Sequence, residues 1–171
     1  MNELRTTQSG YTLIELLMYV VIISALLTSI TYFFGITIEA RAKNQTIAEV
    51  NDQGAAAMDY ITQTIRNGTS ITAPTTGASA NSLTLVVPTG SLSPTIFNLS
   101  GTTLQVKEGS ANPVAITSSD VRVTSLAFTN LTRSGTPGIV RVSFTLSHTN
   151  PSNRNEYDYQ KTFTSSAEVS W

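Results

Sequence analysis

The sequence predicts an α+β fold, with one long N-terminal α-helix followed by a C-terminal antiparallel β-sheet. Three observations carry this. Tyr11–Phe34 is an apolar block interrupted by a single charge, Glu15. Apolar residues then recur at steps of three and four as far as Ile65, the spacing of one helix face. From Thr69 onward the period changes, and short strand-like runs alternate with turn residues. A length of 171 residues suits one domain plus a membrane segment.

The block after the polar stretch Met1–Gly10 is long enough to cross a bilayer, which takes about 20 apolar residues. At about 1.5 Å per residue it reaches roughly 36 Å as a helix. A cleaved secretory signal is one reading, with Ala40-Arg41-Ala42 as a small-residue cleavage pattern. Against it, a signal core runs to only about 7–15 residues, and Arg5 is opposed by Glu3. A plain single-pass anchor is a second reading. Flanking charge does not set the orientation, because Arg5 lies on one side and Arg41 and Lys43 on the other.

A third reading explains Glu15. An acidic side chain within a membrane segment is costly and marks function by default, so its partner must be named. The run Gly10-Tyr11-Thr12-Leu13-Ile14-Glu15 resembles the prepilin cleavage motif of type IV pilin-like proteins: Gly, an aromatic, Thr, Leu, any residue, then Glu. Tyr11 replaces the commoner Phe and keeps the ring. The resemblance implies residues 1–10 as a cytoplasmic leader and a cut between Gly10 and Tyr11 by an aspartyl prepilin peptidase. Tyr11 then becomes the N-methylated first residue, with Thr12 and Leu13 as part of the recognition motif. Cleavage creates a cation at Tyr11, and methylation keeps it. Glu15 stands about one turn further along, and its best partner is a neighbouring subunit's amine. Opposite charges attract strongly in low dielectric and are costly to leave unpaired, so the pair would set axial register between subunits, a role buried polar groups are known to play. Outside this context Glu15 would simply snorkel to the headgroups.

Past Gly35 the stripe Ile47, Val50, Gly54, Ala57 or Met58, Ile61 and Ile65 marks an amphipathic helix. Glu39, Arg41, Lys43, Glu49, Asp52, Asp59 and Arg66 lie off that stripe. Asn67-Gly68 is a helix stop. The expected organisation is therefore leader 1–10, membrane and assembly half 11–38, amphipathic half 39–67 and β-rich head 68–171. A helix from Tyr11 to Asn67 runs to roughly 85 Å, too long for one globular domain, so its first half needs lipid or sister helices. Gly35 and Gly54 each weaken a helix by about 1 kcal/mol relative to Ala. Either they permit bending during assembly or they allow close packing.

Residues 69–82 read as a loop of Thr, Ser, Ala, Gly and Pro. Strand-like runs follow at Leu83–Val87, Thr95–Leu99, Thr103–Lys107, Val114–Thr117, Val121–Phe128, Ile139–Ser147 and Tyr157–Val169. In one of them Val121, Val123, Ser125 and Ala127 alternate with Arg122, Thr124 and Leu126. Turns are expected at Ser100-Gly101 and at Gly135-Thr136-Pro137-Gly138. Tyr157, Tyr159, Phe163 and Trp171 cluster late in the chain; alternate ones are expected to face the helix, with Trp171 as a lid. Asp120–Phe128, Val140–Phe144 and Lys161–Val169 resemble the C-terminal region of J-type and W-type minor pilins and pseudopilins. The whole then implies a pilin fold. The absence of cysteine removes the pair that staples many major pilin heads, which favours a minor or pseudopilin role.

The remaining chemistry is sparse. Only 12% of residues are charged and the formal net charge is -1, so there is no clear nucleic-acid site. His148 is the single histidine, too few for a triad or a histidine-based zinc site, and reads as a surface residue. Glu156 and Asp158 read as solvated charges, because calcium needs six to eight oxygens and no loop supplies them in one run. No phosphate loop or nucleophile elbow occurs. The expectation is a structural subunit, not an enzyme, with no cofactor or metal. Its implied partners are other pilin or pseudopilin subunits, the prepilin peptidase, membrane lipid before assembly and, indirectly, an inner-membrane platform protein and an assembly ATPase. Its expected location is the inner membrane with the head outside, then a periplasmic or extracellular filament. The alternative is an anchored or secreted β-domain acting as an adhesion module.

Overall fold

The computed structural model describes residues 10–170; residues 1–9 of the expected leader and Trp171, with the lid expected of it, lie outside the described residues. The chain divides into two compact units, Met1–Arg41 and Ala42–Trp171. One helix, α1, runs Leu13–Asn67. Nine strands follow among the described residues: β1 Ser70–Ala73, β2 Ser79–Ala80, β3 Leu83–Val86, β4 Thr95–Ser100, β5 Thr103–Glu108, β6 Val114–Ala115, β7 Val121–Asn130, β8 Ile139–His148 and β9 Gln160–Glu168.

The α+β class holds, with the helix packed on antiparallel strands. The strands form two sheets rather than one, in the orders β1-β3-β4-β5-β6 and β2-β7-β8-β9. The core takes Val50, Ala57, Met58, Ile61 and Ile65 from α1, with Leu83, Leu85, Phe97, Leu104, Phe128, Val140, Phe144 and Leu146 from the sheets. The helical stripe read from the sequence is thus the buried face, with two changes. Thr62, off the stripe, is buried as well, its hydroxyl donating to Met58 O at 2.9 Å. Ile47 is half-buried and its neighbour Thr46 takes the buried place, where its hydroxyl donates to Ala42 O at 2.9 Å. That bond makes the burial of a polar group affordable.

The segment expected as a loop, 69–82, contains β1 and β2. They pair at the outer positions of the two sheets, Ser70 opposite Val86 and Ser79 opposite Thr129. Tyr157 belongs to a short 3-10 turn, Asn155–Tyr157, and β9 begins only at Gln160. The expected turn at Ser100-Gly101 joins β4 and β5, with Gly101 at φ 61°. Gly135 adopts φ 77° in the β7–β8 connection; both values fall in the region that glycine enters without strain.

The alternation in β7 breaks at a bulge between Val123 and Ser125. Before it Val121 and Val123 are buried; after it Leu126 and Phe128 take the inner face, leaving Ser125 exposed and Ala127 half-exposed. An extra residue on one strand reverses which side every later residue faces. The other face of β7–β9 carries hydroxyls bonded across strands: Ser125 to Thr145 at 3.1 Å, Thr145 to Thr162 at 2.7 Å and Ser143 to Thr164 at 3.1 Å.

Gly54 is buried where α1 meets β9, and a Cβ there would overlap the Phe163 ring. Gly54 therefore serves close packing, whereas a Cβ at Gly35 meets nothing within 4 Å. Gly54→Ala gains about 1 kcal/mol of helix propensity but displaces a packed ring at a cost of about 1–3 kcal/mol. The expected result is a net loss of stability, read as a lower denaturant midpoint for the full chain in detergent, while Gly35→Ala leaves the midpoint unchanged or raised.

Candidate functional site

The residues around the expected cleavage point lie at the start of α1. Gly10 is exposed, and a Cβ there meets nothing within 4 Å. Tyr11 is 77% exposed. The helix begins at Leu13, with Thr12 capping it. The Glu15 N–H donates to Thr12 Oγ1 at 3.3 Å, and the Leu16 N–H donates to Thr12 O at 3.2 Å. Thr12-x-x-Glu15 is thus the spacing of a capping box, Ser or Thr followed three residues later by Glu. Glu15 in the first turn also opposes the positive end of the helix dipole.

The Glu15 side chain accepts from the Tyr19 hydroxyl at Oε1, 3.3 Å away. Tyr19 in turn meets Tyr11 edge to face, with ring centroids 6.4 Å apart. Tyr11, Glu15 and Tyr19, spaced four residues apart, therefore share one side of the chain. From Gly10 to Ile36 every residue is exposed except Glu15, which is half-buried. The structure thus brings together Tyr11, Thr12 and Glu15; Leu13 is 82% exposed and joins no polar contact. Tyr19 was missed by sequence reasoning, although its position four residues after a carboxylate within an apolar helix is a readable signal.

α1 is long and apolar enough to cross a membrane. Its large side chains stand open throughout, from Leu13 and Ile14 to Phe33 and Phe34. Burying each stabilises by about 1.5–3 kcal/mol. Left in water, more than a dozen of them would outweigh the whole 5–15 kcal/mol or so that holds a typical domain folded. Lipid or other helices must cover this surface.

The head offers less. A groove of about 690 Å³ at the end of α1 is lined by residues including Tyr60, Arg66, Leu92 and Glu108. Partial burial, then the hydrogen bond and the charge of Glu108, hold the Tyr60 phenol above its ordinary 10.0. His148 is half-buried rather than free on the surface, stacked on Tyr157 at 5.5 Å between centroids. Glu156 pairs with Arg154. The Lys43 ammonium donates to the carbonyl oxygens of Asn155 at 2.9 Å and Asp158 at 2.6 Å. Among the described residues, no three His, Cys, Asp or Glu side chains converge on a common point.

Residues 5–31 match the family model described as the prokaryotic N-terminal methylation motif. No curated protein and no solved structure matches the chain significantly. The motif implies membrane anchoring before assembly, handling by a prepilin peptidase and association with other pilin subunits, and the proteins it characterises are structural rather than enzymatic. Residues 5–31 therefore carry the methylation motif characteristic of type IV pilins and pseudopilins, at the head of a long apolar helix.

Proposed function

We propose that the chain is a minor pilin or pseudopilin, a structural subunit of a type IV pilus-like or type II secretion-like filament. The precursor waits in the inner membrane with residues 1–10 cytoplasmic and the β-rich head outside. A prepilin peptidase, recognising Gly10, Thr12 and Leu13, cuts after Gly10 and methylates Tyr11. A platform protein and an assembly ATPase then drive the subunit from lipid into the filament. There the exposed surface of residues 11–34 is covered by sister helices, and Glu15 meets a neighbour's Tyr11 amine.

The observation that carries this reading is the methylation motif opening directly into an uncovered apolar helix. The lack of cysteine in the head favours a minor or pseudopilin role over a disulfide-stapled major one. Mass spectrometry of the native polypeptide tests it. The expected mature chain begins with N-methyl-Tyr11; a start near Lys43 would instead mean a secreted head, and an intact Met1 a plain anchor.

A further inference from the structure

Tyr19 touches Glu15 and Tyr11 of its own chain, the two residues that the proposed pairing offers to neighbouring subunits, and the cleavage motif does not require this contact. Its hydroxyl donates to Glu15 Oε1 at 3.3 Å, and its ring packs edge to face on Tyr11. We infer that Tyr19 is a positioning residue for assembly: it holds Glu15 by one oxygen and seats the ring of the residue that becomes the N-terminus. This rests on the assembly reading given above.

The chemistry favours this division of labour. A carboxylate has two oxygens and about four acceptor sites. The Tyr19 hydroxyl uses one, on Oε1, and leaves Oε2 for an incoming amine. A glutamate side chain loses rotamer freedom when a partner captures it, and one already tethered has less to lose. Glu15 is half-buried while every other residue from Gly10 to Ile36 is exposed, and this is the structural trace of that tether. Tyrosine suits the place, since its ring is at home among apolar helices while its hydroxyl reaches a polar group.

Tyr19→Phe in the full-length precursor, expressed with its own peptidase and assembly machinery, removes only the hydroxyl. Processing is expected at the wild-type level. Filament recovered per mature subunit is expected to fall about three- to tenfold, the scale of one ordinary hydrogen bond. With carboxyl-13C glutamate in the mature protein, reconstituted in phosphatidylethanolamine–phosphatidylglycerol bilayers, the infrared carboxylate band assigned to Glu15 by difference from Glu15→Ala is expected to move. The Glu15→Ala/Tyr19→Phe double variant is expected to assemble no worse than Glu15→Ala alone, because the hydroxyl acts through the carboxylate. An unmoved band, or undiminished assembly of Tyr19→Phe while Glu15→Ala fails, overturns the role of Tyr19 and leaves the assembly reading standing. Wild-type assembly of Glu15→Ala overturns the assembly reading itself.

Discussion

Gly10→Leu is expected to leave the subunit in the membrane fraction as uncut precursor. The folded protein gives no reason for any other defect, because Gly10 is exposed and a Cβ there meets nothing within 4 Å. On the proposed reading the loss arises in the peptidase, whose cleft must fit the residue before the cut. Extra methylenes in a fitted site cost about 1–3 kcal/mol, which slows cleavage roughly 5- to 150-fold at 1.36 kcal/mol per decade. Pulse-chase labelling resolves the two forms, since cleavage removes ten residues. Normal conversion in this variant would remove the basis for cutting at Gly10.

Glu15→Ala is expected to be processed normally and yet to yield almost no filament. The helix start survives the substitution, because the bond to Thr12 Oγ1 comes from the backbone N–H of residue 15. Loss of the first-turn charge costs only about 0.3–1 kcal/mol. In the proposed filament the assembled state loses far more. An amine left without its counter-ion in a low-dielectric bundle costs about 3–5 kcal/mol, on the order of a hundredfold or more per contact. Sheared-filament yield, normalised to mature subunit in the membrane, measures this. Recovery at the wild-type level would show that another group sets the register.

The sequence made the long helix and its buried stripe readable because apolar spacing and burial share one cause. Val50, Ile61 and Ile65 recur at helical steps, and all three are fully buried. The stop at Asn67-Gly68 was equally legible: the helix ends at Asn67 and the Gly68 N–H turns back to Ile65 O at 3.0 Å. The strands with strong hydrophobic runs lay where Val, Ile and Phe cluster. β1 and β2 did not announce themselves, since their Ser, Thr and Ala residues gain strand structure only by pairing with distant β3 and β7. The division into two sheets is likewise a matter of long-range order with no local mark. The bulge after Val123 reversed the faces of β7 without any glycine to signal it. At the candidate site, motif and spacing singled out Gly10, Tyr11, Thr12 and Glu15, whereas Tyr19 looked like one more apolar residue until its hydroxyl was seen on the carboxylate.

Lys43 has a consequence of its own. Its ammonium closes the 155–158 turn by bonding two backbone oxygens from a residue more than a hundred positions earlier. A positive charge tethered by covalent bonds cannot be washed out by dilution or stripped by a chelator. These two bonds therefore need no bound ion, and their weak point is acylation of one amine.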